Sequence, residues 1–117
     1  MNVEEYREYC ISKKGVTESF PFDETTLVFK VMGKMFALCG LDNVPLQVNL
    51  KCDPDRAIEL RETHDGIIEG WHMSKKHWNT VYLDQISKEL TLELIDHSYD
   101  LVVSKLTKKV KSQLEAL

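Results

Sequence analysis

No Cys-x-x-Cys pair occurs in this 117-residue chain; Cys10, Cys39 and Cys52 stand far apart and are odd in number. That spacing excludes a disulfide scaffold and the usual zinc-binding patterns, and the thiols are expected to be reduced and buried. Long hydrophobic runs are also missing. The longest apolar stretch, Met35 to Leu41, falls far short of the roughly 20 residues a bilayer-spanning helix needs, so no membrane association is expected. Met1 is followed by Asn2, Val3 and the acidic pair Glu4 and Glu5. This is not the basic and then apolar start of a signal peptide, so cytoplasmic residence is expected. Proline and glycine are scarce, at 3 and 5 residues. Pro21, Pro45 and Pro54 each sit singly at an element boundary, which leaves no linker or low-complexity tract. The glycines match neither glycine-rich nucleotide motif.

What remains is an ordinary globular composition, 43% hydrophobic and 29% charged. A chain of this size buries roughly two-thirds of the surface its unfolded form exposes, enough for one core, and a single domain over residues 1–117 is expected. Fifteen basic against nineteen acidic side chains give a net charge of −4, which argues against a polyanion partner for the protein as a whole. The charge is uneven, however. Residues 1–70 hold 8 basic and 13 acidic side chains, and residues 71–117 hold 7 and 6. The basic excess lies in two segments, Trp71 to Leu83 and Leu101 to Leu117.

Val3, Tyr6 and Cys10 recur at helical spacing, predicting a helix from Val3 to Lys13. Leu27 to Met32 and Met35 to Leu41 flank Gly33-Lys34, read as a type II′ hairpin turn. That register pairs Val31 with Phe36, Phe29 with Leu38 and Leu27 with Gly40 on one face, and Lys30 with Ala37 and Val28 with Cys39 on the other. After a turn at Asp42 to Pro45, Leu46, Val48, Leu50 and Cys52 alternate with Gln47, Asn49 and Lys51, the mark of a strand with one wet face. Asp53-Pro54 opens a helix as N-cap and first residue, ending near Gly66. A second hairpin is expected from Ile67 to Leu83 with its tip around Ser74 to Lys76. Ser87 caps a long helix with apolar rows Leu90, Leu94, Leu101 and Ile95, Tyr99, Val102, and Thr107 begins a further short one. The expected fold is α+β in two layers: a five-stranded antiparallel sheet with helices on one face, in the order α-β-β-β-α-β-β-α-α.

Four segments carry a family resemblance: Phe20-Pro21-Phe22, Asn49 to Pro54, Trp71-His72-Met73-Ser74-Lys75-Lys76-His77-Trp78-Asn79-Thr80-Val81, and Ile95 to Val102. Together they resemble the MmcQ/YjbR family of small bacterial proteins. The resemblance implies an antiparallel α+β fold similar to CyaY and to type III secretion chaperones, and a double-wing DNA-binding role. The sequence departs from the family pattern at Ser74, where Asn is usual, and at Thr107, where Pro is usual. The second departure leaves open whether the last two helices are separate.

Two functional readings follow. In the first, the chain is a non-enzymatic DNA-binding protein whose hairpin wing (Lys75, Lys76, His77, Trp78, Asn79) and C-terminal lysines (Lys105, Lys108, Lys109, Lys111) contact phosphates and bases. About four phosphate contacts imply weak, salt-sensitive binding. In the second, Lys30, Gln47, Asn49, Lys51, Trp71 and His72 line a face for a protein or an acidic small ligand. No metal or other cofactor is expected: His72 and His77, with Cys52 or His64, match no metal-binding spacing. No catalytic residue is assigned. The cysteines fall on apolar faces, and Asp96, His97 and Ser98, though suggestive in order, are helix neighbours about 100° apart, with Asp96 and His97 expected on the solvent face.

Overall fold

The structure, a computed structural model, describes residues 1–71 and 73–117. The chain forms α1 (Val3–Ser12), β1 (Val16–Ser19), β2 (Thr26–Val31), β3 (Lys34–Gly40), β4 (Gln47–Lys51), α2 (Pro54–Thr63), β5 (Ile67–Glu69), β6 (Trp78–Tyr82), α3 (Lys88–Ser104) and α4 (Lys108–Glu115). The sheet is antiparallel throughout, in the order β1-β2-β3-β4-β6-β5. It therefore has six strands where five were expected. The addition is β1, a short edge strand whose alternate residues Val16 and Glu18 are only half-buried, too weak a pattern to stand out in the sequence. No described helix is long and apolar enough to cross a membrane.

Helix boundaries follow their caps. Asn2 and Glu5 form a reciprocal capping box on α1. The side chains of Asp53, Ser87 and Thr107 accept from the third residue beyond them. Thr107 thus makes α4 a separate helix. All four helices lie on one face of the sheet, where Tyr6, Cys10, Ala57, Leu60, Leu94, Ile95, Val102 and Leu114 close over Phe29, Val31, Val48, Leu50 and Val81 in the main core.

The β2–β3 hairpin corrects the expected register. Its turn is Met32-Gly33, both at positive φ (49° and 83°), so Gly33 takes the second position of a type I′ turn and not the first of a II′. Val31 pairs with Lys34 and Lys30 with Met35, but Phe29 pairs with Ala37. Phe36 is the extra residue of a β-bulge, and the bulge lets Phe36 and Ala37 both face the helices, each fully buried. Beyond it Cys39 joins the helix-side core. Leu38 turns to the opposite face, where it meets Val28 and Trp78 in a second apolar cluster edged by Met35 and Met73.

One side chain from α3 satisfies this irregularity. The Ser98 hydroxyl, fully buried, donates to the carbonyl of Phe36 (2.5 Å) and accepts from the amide of Lys51 (2.9 Å). Replacing Ser98→Ala strips this partner from both backbone groups, at about 1–3 kcal/mol for each buried group left unsatisfied. A loss of about 2 kcal/mol or more in urea denaturation, with the m-value unchanged, is the expected result.

Candidate functional site

With the helices on one face, the other face of the sheet is left to three loops. The connection from β1 to β2 brings Phe22 and Asp23, the β3–β4 connection brings Asn43, and the β5–β6 loop folds back over the strands with Trp71 and Met73. Between them lies a hollow of about 390 Å³ floored by Leu38, Gln47 and Asn49. Phe22 and Trp71 stand at its edge with 64% and 62% of their surface exposed.

Trp71 is held there by its own backbone. Its amide donates to the Thr80 hydroxyl (2.8 Å), that hydroxyl donates to the Asn49 side-chain oxygen (2.6 Å), and the Asn49 amide donates back to the Trp71 carbonyl (3.3 Å). Asn49 and Thr80 are directly paired across β4 and β6, so two strands fix one loop residue. Gly70 lets the loop enter tightly: a Cβ there would lie 2.8 Å from the Trp78 carbonyl oxygen. The far limb of the loop is tied to α2, because the Arg61 guanidinium donates to the Lys75 carbonyl (2.9 Å) and to the Asn79 side-chain oxygen (3.3 Å).

These contacts sort the expected DNA-binding residues. Trp78 is buried in the second apolar cluster, and Asn79, 2% exposed, points to the helix side and donates to the Ala57 carbonyl. Neither side chain is available to a nucleic acid, because the alternation of β6 turns them into packed layers. Lys75 pairs with Glu69 at 3.4 Å, while Lys76 is exposed and His77 half-buried. Lys105 meets Lys34 and Lys51 around a separate hollow of about 320 Å³ beside Met35 and Trp78. Lys108 and Lys109 are exposed on α4, with Lys111 half-buried.

Of the expected ligand face, Gln47, Asn49 and Trp71 come together in the first hollow. Lys30 and Lys51 do not line it; they stand on the same sheet face toward the β2–β3 turn, Lys30 being paired with Met35 and Lys51 with Trp78. His72 lies outside the described residues. Sequence reasoning missed Phe22, Asp23, Met73 and Thr80. The available signal was Phe20-Pro21-Phe22, where aromatics sit in a polar connection with no alternating partners to bury them.

The Asp96-His97-Ser98 run divides among three neighbours. Asp96 accepts from Lys13 Nζ (2.6 Å) and the Tyr9 hydroxyl (2.7 Å), binding α3 to α1. His97 Nε2 accepts from the Asp53 amide (3.1 Å) at the start of α2. Asp96 and His97 are thus both engaged while partly exposed, and neither meets Ser98 as a catalytic partner. Burial pushes the thiols of Cys10, Cys39 and Cys52 up to about 12, 11 and 11, which leaves little thiolate at neutral pH.

A family model described as YjbR matches residues 11–101. YbdF of Escherichia coli O157:H7 is 41% identical over 92 residues, 77% of this chain and 75% of that protein. YjbR of the same organism is 33% identical over 119 residues, covering both chains in full. In structure the chain is similar to the Deinococcus radiodurans protein DR2400, of domain DUF419, with a TM-score of 0.91 and 43% identity over 97% of this chain and 88% of that one. A Pseudomonas syringae protein gives 0.74 and 26% over 86% and 98%. The chain belongs to the YjbR family.

His97 gives the fold a pH dependence. Burial, then the Arg56 guanidinium, hold its imidazole below the ordinary 6.5. The unfolded chain takes up the proton first as pH falls, so this contribution to stability is whole above pH 6.5 and diminishes below it. Denaturation midpoints are expected to fall from pH 6.5 toward about pH 5. His97→Gln, which keeps an acceptor for Asp53 but does not titrate, is expected to flatten the upper part of that fall.

Proposed function

We propose that this YjbR-family protein is a non-catalytic binding module that takes its ligand in the hollow on the open sheet face, between Phe22 and Trp71. The observation that carries this reading is the arrest of Trp71 at both its amide and its carbonyl by Asn49 and Thr80 while the residue stays 62% exposed. An exposed aromatic ring on a loop whose backbone is fixed offers recognition a large apolar surface at low conformational cost. A volume of about 390 Å³ falls in the range of small-ligand sites, and an apolar floor with a few oriented amides is their usual lining. Three buried reduced thiols fit a cytoplasmic setting. The test is a metabolite thermal-shift screen followed by titration of the hits. Trp71→Ala is expected to weaken them about tenfold or more. Unchanged affinity would remove the reading.

A second reading, DNA binding, is favoured by the far end of the sheet. Lys34, Lys51 and Lys105 surround their hollow with no carboxylate in its lining, and the lysines of α4 follow directly after Lys105 in the chain. In this reading the contacts shift from the hairpin tip to that end, since Glu69 already offsets Lys75. Duplex binding followed by fluorescence anisotropy at about 50 mM salt is expected to vanish in the Lys51→Glu/Lys105→Glu variant. It is expected to weaken less in Lys75→Glu/Lys76→Glu. A complex indifferent to the first pair would exclude this mode.

A further inference from the structure

Resting on the binding reading above, we propose that the hollow selects an organic cation: a ligand with a flat apolar body bearing an ammonium, amidinium or guanidinium group, the body between Phe22 and Trp71 and the charge on Asp23. Among the described residues that line the hollow, Asp23 is the only charged one. Of the three loops that frame it, residues 20–26 and 41–46 carry Asp23, Glu24 and Asp42 and no base, while the described bases of the β5–β6 loop, Lys75 (paired with Glu69 at 3.4 Å), Lys76 and His77, do not line the hollow. The bases of the same sheet face stand apart. Lys30 and Lys51, with Lys34 and Lys105 beside them, lie toward the β2–β3 turn, past the Val28–Leu38–Trp78 cluster. The one charge lining the hollow therefore favours a cation over an anion there.

The Asp23 carboxylate is held by its own turn and only partly used. One oxygen accepts from the amides of Thr25 (2.9 Å) and Thr26 (2.6 Å), and the other from the Thr26 hydroxyl (3.0 Å). An ionised carboxylate offers about four lone-pair sites, so the oxygen facing the Thr26 hydroxyl keeps room for one more donor. The three donors also hold its protonation below the usual carboxylate range, so the charge persists at neutral pH. A cation beside it benefits as well from the negative faces of the neighbouring aromatic rings. Gln47, half-buried on the floor, offers an amide to the ligand's polar edge. The volume, about 390 Å³, suits a fused-ring body and exceeds what a bare alkylammonium fills.

The experiment uses three indole probes of similar size at pH 7 on the full chain, followed by amide chemical shifts: tryptamine, indole-3-propionamide and indole-3-propionate. Tryptamine is expected to move the amides of Thr26, Gly40, Asn49 and Trp71 and to bind about tenfold more tightly than the anion. Asp23→Asn retains an acceptor for the Thr25 and Thr26 amides, and so the turn. It is expected to bring tryptamine down to the level of the neutral amide, with Glu24→Gln altering it less. Equal binding of all three probes at those amides, unaffected by Asp23→Asn, would overturn the cation selectivity and leave the binding reading standing. No shift at those amides with any probe at about 10 mM would overturn both.

Discussion

The open face of this protein depends on a contact made on its covered face. Ser98, on α3, donates to the bulged carbonyl of Phe36 and accepts from the amide of Lys51. A bulge leaves backbone groups out of the strand ladder, and buried groups without partners are costly. With Ser98 in place the irregularity is tolerated, and its geometric effect reaches through the sheet. Phe36 and Ala37 both face the helices, so every residue after them in β3 occupies the face opposite to that of an unbroken hairpin. Leu38 is thereby delivered to the open side, where with Val28 and Trp78 it forms the second cluster. Without the bulge Ala37 would face Val28 instead, a smaller side chain under the same hollow.

Charge along the sheet follows from the same antiparallel order. β2 begins, β3 ends and β4 begins at one end, where the connecting loops carry Asp23, Glu24 and Asp42. The β2–β3 turn and the end of β4 lie at the other, with Lys34 and Lys51, and Lys105 at the close of α3 joins them. Each local charge has an ordinary local reason: Lys105 suits a helix C-terminus, and Asp23 closes a turn through the amides of Thr25 and Thr26. Their segregation is a property of the topology. It makes one sheet face present opposite potentials at its two ends, which the net charge of −4 conceals.

Local chemistry made much of the fold legible in the sequence. Asp53-Pro54, Ser87 and Thr107 mark helix starts through short-range bonds, and the alternation of β4 needs only its own five residues. What could not be read is what depends on distant partners. The Met32-Gly33 turn and the Phe36 bulge are stabilised by Gly33 and by Ser98, the latter 62 residues away, and a one-residue slip exchanges faces. β1 is held by pairing with β2 and by the Arg7–Glu18 ion pair, not by a pattern of its own. The site divides in the same way. Asn49 and Gln47 are evident as the polar side of a strand, and Trp71 as an aromatic in a loop. Trp78 and Asn79 read from the sequence as flanks of the hairpin tip within the same wing, yet the first two positions of β6 bury one on each face.

The polar triangle of Asn49, Thr80 and Trp71 has a consequence that stability alone does not account for. Two satisfied polar side chains contribute only modestly to folding, and replacing both by apolar groups of the same shape is often near neutral. A β4–β6 pair of that kind would hold the sheet together equally well. It could not, however, grip an amide and a carbonyl of the returning loop, and the loop would settle wherever its apolar side chains packed best. The existing pair fixes the loop at one residue in both hydrogen-bonding directions, so the backbone that carries the indole is set at the hollow's edge before any ligand arrives. Ordering of the recognition surface is thereby moved from binding to folding, where the cooperative core supplies it. The polar pair on β4 and β6 is better understood as the mount of Trp71 than as a strut of the sheet.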